Sequence, residues 1–410
     1  MIDYSKNPAS YDFRLQGFSL QPLLKSVENN IPVYGYTDVN IGISYLELVF
    51  STGKLTDNNK AMSAILARLF PYLQVSEGKT LFELLEFYGA KLSFEASSTH
   101  SSIKLYALST DFQVIVNEVT KSLKKPFWTN DSFLHCKHTL SKDVKTRQLE
   151  KKTISDKTFN KHFYKGTRLG DPLSLENIKD CTSEVIKEKI ECLFTQLDFV
   201  LTVNLEADKL DFSLFSANNE RSEIPLNFTE KSVKVFPKLN KEQSLIQSIT
   251  PLCSVLSSDY PLFYFYNQLL GGSFQSVLSQ EIREKQGLTY GIHSSLLSVN
   301  NNTYLKINST TPYQKGEVVF DKIEEITTDF EKYLNETYVN QIKKISSATF
   351  LKNMENIFSQ LALQKNILLS GLNLNFYSSL LTGIKKVEID DLLTINKEVQ
   401  ANSTMKLIID

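Results

Sequence analysis

The sequence predicts an α+β protein made of two similar halves, each an antiparallel-rich sheet with helices packed on one face. Three observations lead there. The 410 residues, 41% of them hydrophobic, can furnish two cores of ordinary size. Short β-branched and aromatic runs alternate with longer stretches of helical period. The order strand, helix, helix, two strands, helix, helix occurs twice along the chain, which suggests a duplication of fold with little residue identity between the copies.

In the first half, Ile41 to Ser51 reads as a strand closed by Thr52 and Gly53. Residues 60–74 place Met62, Ile65, Leu66, Leu69 and Phe70 on one helical face, with Pro71 limiting the far end. A short helix to Tyr88 stops at Gly89, and two alternating strands flank a polar turn from Ser97 to Ser102. Residues 111–125 and 131–150 have helical patterning, and residues 198–208 make the last strand. From Phe212 to Lys231 the chain mixes Ser, Asn, Glu and Pro225 without period. That stretch is the expected linker, so the two halves cover 1–211 and 232–410. The second half repeats the order, with strands at 244–252, 288–299, 303–311 and 405–410 and helices at 261–270, 273–285, 316–334 and 336–354.

Lys and Arg number 45 against 46 Asp and Glu, which gives no electrostatic reason to expect nucleic acid as a partner. The N-terminus has no signal-peptide core and no segment reaches the roughly 18 to 20 apolar residues that span a bilayer, so a cytoplasmic chain without membrane association is expected. Cys136, Cys181, Cys192 and Cys253 are too few for a disulfide framework and read as free, mostly buried thiols.

The stretch LLGGSFQSVLSQEIREKQGLTYGI, 269–292, joins a glycine pair, a helix carrying Arg283 and a Gly287-Leu288-x-Tyr290 entry into a strand. Together with LFELLEFYGAKLSF and YKGTRLGDPLSLENIKDCTSEVIKEKI in the first half, it resembles one half of a pitrilysin/insulinase-type metallopeptidase, close to the mitochondrial processing peptidases and their bacterial two-domain relatives. The resemblance covers nearly the whole chain and implies a half-clam of two homologous domains.

It also exposes a departure. Active members carry His-x-x-Glu-His on the first helix, two histidines for zinc and a glutamate as general base. Over MSAILARLF that motif falls on Ser63, Leu66 and Ala67, none of which can serve. The helix matched to the third ligand, HCKHTLSKDVK, offers only Asp143. His135 and His138 share a helical face, but no third ligand is visible, so no metal is expected in this chain. No Gly-x-Ser-x-Gly nucleophile elbow occurs either.

What the resemblance retains is the pair that supports the oxyanion. Arg283 is a permanent cation with a fork of donors and Tyr290 a neutral hydroxyl donor. Gly287 is expected to end the helix in a left-handed cap, placing Tyr290 at the start of the next strand. The bland alternatives are an Arg283 pair with Glu281 or Glu284 and a half-buried Tyr290. In processing peptidases a glycine-rich loop at 271–273 contacts substrate, which makes Gly271, Gly272 and Ser273 the candidate substrate residues. The expected function is a non-catalytic subunit that pairs with a homologous zinc-bearing subunit, the zinc residing there, to enclose a peptide chamber. The alternative is an inactive peptide-binding or assembly module, a homodimeric scaffold.

Overall fold

The computed structural model describes residues 23–37, 39–75, 78–148, 150–226, 231–237 and 242–410. The N-terminal stretch read for a signal peptide lies outside them, as do residues 227–230 of the expected linker. Among the described residues no helix is long and apolar enough to cross a membrane.

The first sheet contains β1 (Leu24–Glu28), β2 (Ile31–Tyr36), β3 (Ile43–Phe50), β4 (Lys91–Ala96), β5 (Ser101–Leu108) and β6 (Leu197–Val203), in the order β1-β2-β6-β3-β5-β4. The second contains β7 (Lys231–Val235), β8 (Gln243–Ser254), β9 (Gly291–Val299), β10 (Asn302–Pro312) and β11 (Met405–Ile409), in the order β7-β11-β8-β10-β9. Apart from β1 the wiring is identical. In each sheet the chain's last strand runs parallel to an outer neighbour, β6 to β2 and β11 to β7, while the other pairs are antiparallel.

Helices obey the same duplication. Asn130–Arg147 and Glu336–Asn353 occupy equivalent places, as do Leu175–Asp180 and Phe376–Lys386. One side-chain device occurs in both halves. Lys137 donates from the first long helix to the carbonyls of Lys179 and Cys181 at 2.7 and 2.8 Å. Lys343 does the same to Lys385 and Val387 at 3.1 and 2.6 Å. Each ammonium thus satisfies orphan carbonyls at the end of the short helix, where the helix dipole is negative.

Helices cover one face of each sheet, as the pattern predicts, and large aliphatic cores form there. The other face is covered crosswise. Helix Lys151–Phe163 of the first half packs Phe159 and Phe163 against Ile249, Tyr304 and Leu407 of the second sheet. Helix Ile357–Ser370 of the second half packs Leu361 and Phe358 against Tyr45, Val49 and Leu201 of the first. This explains why β3 and β6 are apolar nearly without alternation: both of their faces are buried.

The expected linker is only partly free-standing. Phe212 is buried in the first core, and Leu197 N–H donates to the Ser216 carbonyl at 3.3 Å. Ile224 is buried instead against the second sheet. Between them Arg221 pairs with Asp198 through Nε at 2.6 Å and reaches the carbonyls of Leu368 and Leu369 at the end of the exchanged helix.

Candidate active-site half

The metal-motif helix is a short one, Met62–Leu69, continued by a single 3₁₀ turn, Phe70–Tyr72, in which Pro71 ends the α-geometry. Ser63 and Leu66 both point into the interior and Ala67 is half-buried. Ser63 Oγ donates to Asp57 Oδ2 at 2.6 Å, and Asp57 Oδ1 lies 2.7 Å from Lys189 Nζ, both residues being buried. Lys189 also donates to Thr52 Oγ1 at 3.3 Å. An internal ion pair, held on one side by the Ser63 hydroxyl, therefore occupies the ground around the first histidine position.

Asp143 is likewise engaged. Arg68, the residue after Ala67, holds it through Nη2 at 2.7 Å, which keeps the Asp143 carboxyl below its usual range. That ion pair ties together the two helices whose residues would otherwise converge on a metal. Among the described residues no group of three His, Cys, Asp or Glu is gathered for a metal, and His135 and His138 are both exposed with no third ligand beside them. Sequence reasoning missed Asp57, Lys189 and Arg68. The signal was faint: a lysine within the otherwise apolar face Ile186, Ile190, Leu193.

The second half builds a different kind of site. Helix Tyr260–Asn267 widens into a π-helical turn, Gln268–Gly272, and a second π-helical stretch spans Ser279–Lys285. Gly271 is required by the approach of β9: a Cβ there would stand 2.7 to 2.9 Å from the backbone and side chain of Ser294. Gly271 is buried, Gly272 is exposed, and Ser273 Oγ is buried with no hydrogen-bond partner in the structure.

Gly287 has φ +61°, the expected left-handed cap, and Leu288 N–H closes it on the Ile282 carbonyl at 3.0 Å. The chain then turns into the sheet. Tyr290 N–H donates to the Thr310 carbonyl at 2.9 Å, one residue before β9 begins. Its side chain is 64% exposed, so it is not the half-buried strand residue of the bland alternative.

Arg283 lies on the last turn of the π-helical stretch with its side chain 38% exposed. Its guanidinium carbon stands 5.2 Å from the ring centre of exposed Phe274, and Nη1 is 3.4 Å from its neighbour Glu284. Glu281, the other acid in reach by sequence, is taken by Lys285 at 2.6 Å. Arg283 is thus loosely held on its own helix and stacked on an aromatic ring. It keeps most of its fork of donors available.

Comparison with known proteins bears on the fold. A family model described as peptidase M16 inactive domain matches residues 180–345. That match covers less than half of the chain and falls mainly on its second half. The non-peptidase homolog YmxG of Helicobacter pylori strain ATCC 700392 / 26695 is 24% identical over 398 residues, covering 90% of this chain and 90% of its own. The crystal structure of a peptidase M16 inactive domain from Pseudomonas fluorescens superposes with a TM-score of 0.79 at 16% identity, over 94% of this chain and 98% of that one. The periplasmic protease PqqL of Escherichia coli has a TM-score of 0.76 at 12% identity. There the match takes in 98% of this chain but 49% of PqqL, so this fold corresponds to about half of that longer molecule.

Proposed function

We propose that this chain is the non-catalytic, cytoplasmic subunit of a heterodimeric zinc peptidase. It pairs with a homologous zinc-bearing subunit, encloses half of a peptide chamber, and presents Arg283 and Tyr290 to the oxyanion formed at the partner's metal. The observation that carries this is an asymmetry of use. The motif positions Ser63 and Leu66 are sealed into the first core, while Arg283 and Tyr290 stand exposed with little structural role.

In this reading the halves 1–211 and 232–410 are homologous domains, with Gly271, Gly272 and Ser273 forming the wall beside the peptide. A neutral hydroxyl and a guanidinium strengthen their contacts as negative charge develops on the scissile carbonyl oxygen, which lowers the barrier without supplying the nucleophile. The half-length match to PqqL supports a second M16 unit of equal size as the missing complement.

The test is to co-purify the chain with a zinc-bearing M16 homologue and assay cleavage of a quenched fluorescent peptide. Arg283→Ala and Tyr290→Phe should each lower kcat by about 10²-fold, the lower end of the range for loss of an oxyanion donor, with complex formation unchanged. Full activity in both variants would remove the catalytic claim and leave a peptide-binding scaffold. Failure to form any hetero-complex, with a stable homodimer instead, would point the same way.

A further inference from the structure

Beside the helix Met62–Leu69 a cavity of about 550 Å³ opens against the helix Lys151–Phe163, bordered by Ser98 and Tyr164. Five cations line it, Lys54, Lys60, Arg147, Lys157 and Arg168, against two acids, Asp156 and Asp171. The chain as a whole has a net charge of −1, so this is a strong local departure.

Asp171 is matched by a cation and Asp156 keeps its charge, so five cations against two carboxylates leave a clear positive surplus in the lining. Asp171 holds Lys60 at 3.0 Å, and Asp156 accepts from Gln247 Nε2 at 3.3 Å. Arg168 donates to the Asn58 carbonyl at 2.9 Å, a contact that leaves its charge uncompensated. Among the described residues Lys54, Arg147, Lys157 and Arg168 form no ion pair. Like charges gathered in a concave wall repel one another and contribute nothing to the fold, but they focus a positive potential into the cavity.

We propose that this cavity binds the carboxylates of an acidic peptide segment. The four cations without an ion pair come from four separate stretches of chain, at positions 54, 147, 157 and 168, and surround a space far larger than one phosphate. A single phosphate is gripped by convergent backbone N–H groups or a bidentate fork, whereas dispersed cations suit several carboxylates carried along a chain. Leu169, Pro172 and Leu173 add apolar wall for the intervening side chains. This site is in the first half and does not depend on Arg283 or Tyr290.

The experiment measures fluorescence anisotropy of a short labelled Glu-rich peptide with the full chain, beside a matched peptide with Gln for every Glu. The Glu-rich peptide should bind about tenfold or more tightly and weaken steeply as salt rises. Arg147→Glu combined with Lys157→Glu should abolish that preference with an unchanged melting temperature, and Arg283→Ala should leave it intact. Equal binding of the two peptides, or retention of the preference in the charge-reversed variant, overturns the proposal. So does displacement of the peptide by equimolar inorganic phosphate, which would make the cavity a phosphate site.

Discussion

At the scale of single residues, His100 shows how an unspectacular polar turn records its surroundings. Its Nδ1 lies 2.8 Å from Ser97 Oγ at the tip of the β4–β5 hairpin. Burial, together with the charges of Lys365, Arg221 and Lys104, outweighs the opposing effect of Glu47 and pushes its pKa from 6.5 down to about 4. The sign follows directly. Between those two values the unfolded chain takes up a proton that the folded chain refuses, so stability falls as pH drops from 6.5 towards 4. His100→Asn, which keeps a partner for Ser97, should flatten that part of the profile when urea midpoints are measured across the interval. An unchanged slope would assign the acid sensitivity to other groups.

Residue-scale features were unevenly legible in the sequence. Gly287 could be read because a left-handed cap demands glycine and its neighbours make a recognisable strand entry. Leu66 and Ala67 could be read because neither side chain can bind or protonate anything. The Ser63–Asp57–Lys189 network could not, because its members are separated by 6 and 132 positions and each alone is an ordinary surface residue type. The basic cavity was invisible for the same reason: its cations come from segments that only the fold brings together.

Among elements, the exchanged helices matter most. Helix Ile357–Ser370 inserts Lys365 towards β3, where its ammonium meets Glu47 Oε1 at 2.5 Å while Tyr45 Oη donates to Oε2 at 2.6 Å. Gln364 from the same helix donates to Tyr36 Oη at 2.6 Å. All of this is nearly water-free, so removing one partner strands a charge. Lys365→Met should destabilise the protein by about 3–5 kcal/mol in urea unfolding, and adding Glu47→Gln should recover much of that loss. A single-variant cost near that of an exposed pair, roughly 1 kcal/mol or less, would show that Glu47 finds water.

Neither exchanged helix stood out in the sequence. KKTISDKTFNKHF carries only Ile154, Phe159 and Phe163 as apolar anchors, and IFSQLALQKNILLS is apolar around much of its circumference. A helix that crosses to the far face of another sheet meets a few ring-sized gaps rather than a continuous stripe, so its period is weak. The π-helical stretches were equally hidden, since a widened turn keeps helical composition. The strands β3, β5, β8 and β10 were legible because central strands are runs of β-branched and aromatic residues whichever face is covered.

For the molecule as a whole, the two sheets repeat one wiring, with β1 as the single added strand among the described residues. The sequence showed this as a repeated order of elements rather than as residue identity. Physical requirements at equivalent places keep the order fixed while leaving most side chains free to drift. The paired lysines Lys137 and Lys343 show one chemistry, a cation on helix-end carbonyls, used at equivalent places in both halves.

The crosswise helices have a further consequence for how the chain comes apart. Each half keeps the cover that the other half's sheet needs, so the stretch at 219–223 joins two bodies that are already clasped. A protease site engineered after Glu223 should cut cleanly and yet leave both fragments co-eluting in native buffer, parting only in denaturant. Release of a folded first fragment on cutting would contradict this. On this expectation the clasp, rather than the peptide bond, is what keeps the two halves in company.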